Sequence, residues 1–151
     1  MKRITIYAVL SVLFFINTAS MCSSDDSSSD TNQTVLINTA ISGTWRITNY
    51  VDSGVVKTNN FSGYNFTFSQ NGTLIAIGNG LTNSGTWSVT DRNSNDDSLS
   101  DLDFNIAFTS PANFFDLTDD WDIISRTDTR IQLIDVSGGN GGTDYLTFEK
   151  N

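Results

Sequence analysis

Few residues in this chain can do acid–base or nucleophilic chemistry, because the sequence has no histidine and one cysteine, Cys22. Histidine is the commonest general base and the commonest neutral metal ligand, so Ser-His-Asp and Cys-His arrangements are excluded. One cysteine cannot form an internal disulfide or a zinc cluster. Carboxylates are the remaining candidates, and they occur in two clusters of aspartate. We predict a protein that is not an enzyme and that uses no cofactor and no metal.

The first aspartate cluster forms an acidic turn near the middle of the chain. Asp91, Asn93 and Asn95 place oxygen ligands at alternate positions, as at the start of a calcium-binding loop. The sixth position is then Asp96 where that loop requires glycine, and the twelfth is Leu102 where it requires glutamate. The sequence therefore predicts a solvated turn.

The second cluster surrounds a tryptophan and consists of Asp116, Asp119, Asp120 and Asp122. Two converging carboxylates can hydrolyse glycosidic bonds, provided that they meet in a cleft. A row of aspartates at the edge of a sheet is also what a solvated rim contains. We predict the rim, and the carboxylate hydrolase is the alternative.

Cys22 ends the apolar N-terminal segment MKRITIYAVLSVLFFINTASMC. Lys2 and Arg3 precede an apolar run from Ile4 to Ile16, and small polar residues follow, which is the pattern of a secretory signal. As a helix the run would span roughly 20 Å, against about 30 Å of bilayer hydrocarbon, so it is short for a membrane span. We predict a removable signal peptide over residues 1–21.

The order Ala19-Ser20-Met21-Cys22 resembles a bacterial lipoprotein signal, in which the cysteine is lipidated and becomes the first mature residue. The resemblance implies that a lipid on Cys22 holds the protein to a membrane. A free cysteine after ordinary signal cleavage is the alternative.

A polar segment over residues 22–35 separates Cys22 from the rest of the chain. Its core, SSDDSSSDTNQT, has no apolar residue and cannot bury surface, so we predict a flexible tether. Ser23-Ser24-Asp25-Asp26 also resembles the acidic export signal of surface lipoproteins in the Bacteroidetes. That resemblance implies an outer-membrane protein exposed at the cell surface.

Residues 36–151 form the folded domain, in which apolar and polar residues alternate with the period of β-strands. Residues 35–41 are expected as a short helix or entry segment, and Pro111 after Ser110 predicts one helical turn. Asn71-Gly72 predicts a two-residue hairpin in which both residues have positive φ. Eight strands are predicted, at residues 43–51, 63–69, 73–78, 84–90, 99–108, 121–126, 129–136 and 143–150.

Eight short strands with short connections indicate an all-β fold, either a sandwich or a barrel. Sequential hairpins require an up-and-down order, and eight strands can close without exposed edges. In the first strand Trp45, Ile47 and Val51 are expected on one face. We predict a small eight-stranded up-and-down β-barrel after the signal peptide and linker.

The first strand begins Gly43-Thr44-Trp45, and the run GTWRITNY…YNFTFSQNGTL…GTWSV…WDIIS…IQLI…YLTFEK follows. This pattern, over about residues 41–150, is similar to the lipocalin-like domains common in Bacteroidetes lipoproteins. The resemblance implies a lipocalin-like barrel. Gly85-Thr86-Trp87 repeats the first motif, and we expect each glycine to allow a close approach while the tryptophan fills the barrel floor.

Aromatic residues at alternate positions are expected to face the barrel interior. They would form an apolar cup for a small hydrophobic ligand, or they would fill the interior completely. Both alternatives are open at this point. The residues are Trp45, Tyr64, Phe66, Phe68, Trp87, Phe104, Phe108, Trp121 and Phe148.

The charge balance limits the partners, since 8 Lys and Arg stand against 17 Asp and Glu. Nucleic acid is excluded as a partner because its phosphates must be neutralised by cations. Another protein of the cell envelope is the alternative to a small ligand. Such a partner would need an exposed apolar patch, to which Ile124 or Ile134 is expected to contribute.

Overall fold

The computed structural model describes residues 31–92, 98–137 and 142–151. The predicted signal peptide, Cys22 and most of the predicted tether lie outside these residues. Two 3-10 helical turns occur at Thr58–Phe61 and Leu99–Asp101. The helices and strands are α1 Asn32–Ile41, β1 Trp45–Asp52, β2 Val55–Val56, β3 Tyr64–Phe68, β4 Thr73–Gly78, β5 Leu81–Asp91, β6 Leu102–Phe108, α2 Ala112–Phe115, β7 Asp119–Thr127, β8 Arg130–Val136 and β9 Thr143–Lys150.

The strands form one antiparallel sheet that closes on itself. Their order is β2-β1-β3-β4-β5-β6-β7-β8-β9, and β1 also pairs with β9. Eight strands, β1 and β3 to β9, therefore form a closed up-and-down barrel, which confirms the predicted fold class. The short strand β2 was not predicted, and it pairs with β1 outside the closed ring.

The inward positions follow the alternation of the sequence except in β1. The register of β1 against β9 shifts between Ile47 and Asn49, which is a β-bulge. Because one extra residue reverses the faces beyond it, Tyr50 is buried and Val51 is only partly buried on the outer face. The prediction that Val51 shares the face of Trp45 and Ile47 is therefore wrong.

Two glycine turns set the hairpins around β4. Asn71-Gly72 does join β3 to β4, but of these two residues only Gly72 has a positive φ, of 81°. Its N–H donates to the Ser69 carbonyl at 3.0 Å, as in a three-residue loop that ends on a left-handed glycine. Of the two turns around β4, the one with two positive φ angles is Asn79-Gly80, at 51° and 74°. It starts β5 at Leu81, earlier than predicted.

Helix α1 closes one end of the barrel, here called the helix end. The Thr31 side chain caps it by accepting a hydrogen bond from the Thr34 N–H at 3.3 Å. Leu36 and Ala40 are fully buried, and Gln33 Nε2 donates to the Val89 carbonyl at 3.0 Å. The helix thus begins inside the range predicted as tether, because a cap and a buried apolar face fix it to the barrel. Within the described part of the chain, no helix has the length and apolarity needed to cross a membrane.

The connections at the opposite end, here called the rim, also carry buried aromatic residues. Phe61 lies in the 3-10 turn before β3, and Phe114 lies in α2 directly after Pro111. Both side chains are fully buried, and their ring centroids are 5.3 Å apart. The barrel is therefore covered by α1 at the helix end and by these two rings at the rim.

Candidate functional site

The structure places all nine aromatic residues that were predicted to face inward inside the barrel, where each is buried. They come from six different strands, so the closed sheet brings them together from distant parts of the chain. The residues are Trp45, Tyr64, Phe66, Phe68, Trp87, Phe104, Phe108, Trp121 and Phe148.

These rings contact one another across the barrel axis. Phe68 lies 5.1 Å from Trp87, 5.5 Å from Phe104 and 5.4 Å from Phe148 between ring centroids, each pair edge to face. Phe148 lies a further 5.5 Å from Phe66. Such centroid distances are those of aromatic rings in direct contact. This part of the interior is therefore a packed aromatic core.

The indole N–H groups of the three buried tryptophans all have partners in the protein. Trp45 Nε1 donates to the Ala40 carbonyl at 2.8 Å, and Trp121 Nε1 donates to the Leu117 carbonyl at 3.1 Å. Trp87 Nε1 donates to a carbonyl of the β3–β4 turn at 2.9 Å. Ligand pockets use a few convergent polar groups to orient their ligand. The three indole N–H groups instead form hydrogen bonds to backbone carbonyls of the helix and connections that adjoin the strands.

Sequence patterns did not indicate several of the residues that cover this core. Tyr50 is turned inward by the bulge, and its hydroxyl donates to the Asp116 carbonyl. Burial raises the pKa of Tyr50 above its usual range, and the charges of Asp52 and Asp116 add to this effect. Phe61 and Phe114 lie in short helical turns, where strand alternation gives no signal. A paired aromatic such as Phe114-Phe115 would have indicated that one ring is buried, but not which one.

The four aspartates of the second cluster point to different partners. Asp116 forms an ion pair with Lys57 at 3.0 Å, and Asp122 forms one with Arg92. Asp120 is exposed, and Asp119 faces two other strands. Lys57 also binds Asp52, and these hydrogen bonds raise the pKa of Lys57. Asp116, Asp119 and Asp120 lie at the rim, whereas Asp122 lies further along β7, opposite Asp103 on β6.

One aspartate of this cluster, Asp119, converges at the rim with carboxylates of two other strands. Among the described residues, Asp119, Asp135 and Asp144 each place one oxygen within 4.8 Å of the others. Burial, hydrogen bonding to the side chain of Asp120 and the charge of Asp135 raise the pKa of Asp119 to about 6. Asp144 also accepts a hydrogen bond from the Ser53 N–H at 2.6 Å. Three such oxygens could contribute to a hard-cation site, or the carboxyls could share a proton.

The first acidic cluster lies partly outside the described residues, which end at Arg92 and resume at Ser98. Its described part contains an ion-pair network. Arg92 donates to Asp103 through two nitrogens and to Asp122 through one. These hydrogen bonds raise the pKa of Arg92 further above its usual range.

The outer wall of the barrel carries exposed apolar residues, most of them at the rim. Val56 is 72% exposed, Val55 59% and Tyr145 41%. Ile124, which was expected in an apolar patch, is 49% exposed on β7, whereas Ile134 is partly buried.

A shallow hollow of about 520 Å³ also lies on the outer wall between β5 and β6. Its outward-facing side chains are small or polar, namely Thr86, Ser88, Asn105 and Ala107. These four are not the large hydrophobic or aromatic side chains that line most sites for hydrophobic ligands.

No protein-family model and no curated protein sequence matches this chain. Its structure is similar to the crystal structure of a DUF4847 family protein from Bacteroides vulgatus. The two sequences are 20% identical, the match covers 74% of this chain and 94% of the other, and the TM-score is 0.47.

Proposed function

We propose that this chain is a lipid-anchored, non-catalytic interaction module of the bacterial outer membrane, with a lipocalin-like barrel as its rigid scaffold. The barrel presents its outer wall and its rim to an envelope partner. Of the two alternatives for the barrel interior, the proposal adopts the filled barrel over the cup for a hydrophobic ligand.

The packing of the interior is the observation that carries this proposal. Phe68 touches three other rings near the barrel axis, and Phe61 and Phe114 cover the rim. A ligand of even modest size would have to displace these rings, and each large side chain removed from a core costs about 3–5 kcal/mol. The same packing makes the barrel a stiff support, which favours recognition by an outer surface.

The absence of histidine from the sequence supports a non-catalytic role, as do the separate ion pairs that Asp116 and Asp122 form with Lys57 and Arg92. Anchoring rests on the sequence of residues 1–34. The signal-like run, Cys22 and the polar segment after it favour a lipidated protein on the cell surface.

Uptake of an apolar dye distinguishes a filled barrel from a carrier. We expect 1-N-phenylnaphthylamine to show no saturable fluorescence gain with the purified chain. As a matched control, Phe68→Ala should create a cavity that admits the dye, since the rings around Phe68 would then line an empty space. Saturable, stoichiometric binding by the natural chain would contradict the proposal and restore the carrier.

Cell fractionation tests the anchor. We expect Cys22→Ala to move the protein out of the membrane fraction, because it removes the atom that carries the lipid. Ser23→Ala is the matched control and should leave the protein membrane-bound. Intact mass of the natural chain should exceed the polypeptide mass after residue 21 by that of a lipid. A Cys22→Ala variant that stays in the membrane fraction would overturn the anchor.

A further inference from the structure

Four apolar side chains form a continuous row across the outer wall below the rim. Ile134 on β8 is the register partner of Tyr145 on β9, Tyr145 is that of Val51 on β1, and Val51 is that of Val56 on β2. Directly opposite residues share a face and lie about 4.5–5.5 Å apart at Cβ. We call Ile134, Tyr145, Val51 and Val56 the apolar row.

The apolar row ends at a free strand edge. Among the strands that the structure describes, β2 is the terminal one in the sheet order and has β1 as its single neighbour. The Lys57 N–H donates to the Tyr50 carbonyl at 2.9 Å, so the adjacent pair Val51 and Val56 is the non-hydrogen-bonded pair of the ladder. The backbone N–H and C=O of Val56 therefore point away from β1. An edge with exposed valines is a template for another strand.

Carboxylates accompany the row on the side of the rim. Val51 is followed by Asp52, Ile134 is followed by Asp135, and Tyr145 is preceded by Asp144. On each of the three strands the aspartate is one residue closer to the rim. Lys57 neutralises part of this charge through Asp52. The surface is thus apolar on the wall and negative along its upper edge.

We infer that the apolar row and β2 dock an extended, basic and apolar segment of another envelope protein, which adds a strand to β2. The inference rests on the proposed function as an interaction module. Alternate side chains of an added strand point to opposite faces. Apolar side chains on one face would continue the row beyond Val56, and Lys or Arg side chains on the other face would meet the carboxylates of the rim.

Charge decides between this occupant and a second copy of the chain. A copy brings the same excess of 17 acidic over 8 basic residues to an edge that is already negative. A basic segment instead gains charge complementarity, which raises association rates and discriminates against acidic partners. Pairing through the backbone of β2 supplies affinity, and the row supplies specificity for apolar side chains.

The test measures binding of designed peptides to the full chain in phosphatidylcholine nanodiscs, with empty nanodiscs subtracted. The probe is an extended peptide of about eight residues that alternates Lys and Val. Matched control peptides alternate Glu with Val and Lys with Ser. We expect saturable binding of the Lys-Val peptide below about 1 mM, and at least about tenfold weaker binding of both controls. The affinity should fall as salt rises from about 0.05 to 0.5 M.

Substitutions in the chain locate the binding surface. Val56→Ser and Tyr145→Ser should each weaken the Lys-Val peptide by about fivefold or more. Ile124→Ser removes a similarly exposed apolar side chain outside the row and should leave the affinity unchanged. Because all three side chains are exposed, the variants should keep the thermal midpoint of the natural chain.

Three results of the binding experiments would overturn the inference. They are no binding up to about 1 mM, equal binding of the Glu-Val peptide, and an Ile124→Ser effect as large as that of Val56→Ser. A dimer that sedimentation detects and that Val56→Ser disrupts would assign the row to a second copy instead. Uptake of the apolar dye by the natural chain would refute the proposed function. If the chain takes up no dye and also fails to bind the Lys-Val peptide, this inference alone is refuted.

Discussion

Arg92 joins two carboxylates that face each other across neighbouring strands. Asp103 and Asp122 are register partners on β6 and β7, and the side chain of Asp103 is only 12% exposed. Like charges placed directly opposite each other are destabilising, and a poorly solvated carboxylate needs a partner. The guanidinium resolves both problems by binding both side chains.

We therefore expect Arg92→Gln to lower the free energy of unfolding by about 1–3 kcal/mol. Urea denaturation at pH 7 measures the change. Arg46→Gln is the matched control, since Arg46 pairs with Glu149 at 3.6 Å on an exposed surface and should cost at most about 0.5 kcal/mol. Equal effects of the two substitutions would show that the bridge to Asp103 and Asp122 adds nothing.

Asp119 makes the stability of the folded protein decrease as the pH rises, whereas most carboxyl groups have the opposite effect. Its pKa in the folded protein is about 6, above the ordinary value of 3.8, chiefly because it is partly buried. The folded state then binds the proton more tightly than the unfolded state. The stability linked to Asp119 is full below pH 4 and is lost as the pH rises through 6.

Asp119→Asn removes this titration, because the amide stays neutral. We expect the variant to match the natural chain near pH 4 and to exceed its free energy of unfolding by about 1 kcal/mol at pH 7, after a discount for solvent screening. Urea titrations at both pH values, with a chelator present, give the comparison. A variant that is less stable than the natural chain at pH 7 would contradict the assigned sign.

The two Gly-Thr-Trp motifs begin alike but meet different surroundings. A Cβ on Gly85 would lie 2.5 Å from the Ala107 carbonyl oxygen and 2.7 Å from the ring of Phe108. A Cβ on Gly43 would meet the flexible end of Lys150, at 3.1 Å. The expected close approach therefore occurs at both glycines, but with different neighbours. Gly85 lies against backbone and a core ring, whereas Gly43 lies against a flexible surface side chain.

Gly85→Ala should accordingly lower the free energy of unfolding by about 2–4 kcal/mol, because the β5–β6 ladder must separate to admit the methyl group. Gly43→Ala is the matched control and should change stability by less than about 1 kcal/mol. Thermal or urea unfolding distinguishes them. Similar losses in both variants would mean that the motifs have one shared structural role.

The strands were predictable because each buries one face inside the barrel, so that apolar and polar residues alternate along the sequence. β3 illustrates this, with Tyr64, Phe66 and Phe68 inside. The exceptions have local causes. The bulge after Ile47 adds one residue to β1, and no residue type in the sequence indicates it. Helix α1 is stabilised by burial against β3 and β5, which the polar residues of its first turn do not predict.

The function of the aromatic set was less predictable than its position. Alternation indicates which side chains point inward, but not whether facing rings touch or leave a space. Phe61 and Phe114 decide that question, and both come from connections without a regular pattern. The apolar row was also hidden, because Val51 and Val56 join it through the bulge and through a strand of two residues.

Opposite ends of the barrel have different environments if Cys22 is lipidated. The eight residues 23–30 between Cys22 and the cap of α1 can span at most roughly 28 Å. The helix end is then held near the membrane, and the rim with its carboxylates faces away from it. Negative charge at the rim also keeps it clear of anionic lipid.

Thiol labelling tests this orientation, because Cys22 is the single natural cysteine and lipidation blocks its sulfur. Leu81→Cys places a thiol at the rim outside the apolar row, and Asn38→Cys places one on α1; both positions are exposed. In intact cells a membrane-impermeant maleimide should label the Leu81 variant faster, and the difference should vanish in detergent. Equal rates in cells would contradict the orientation. Labelling that requires a permeabilised outer membrane would place the protein on the periplasmic side and refute surface exposure.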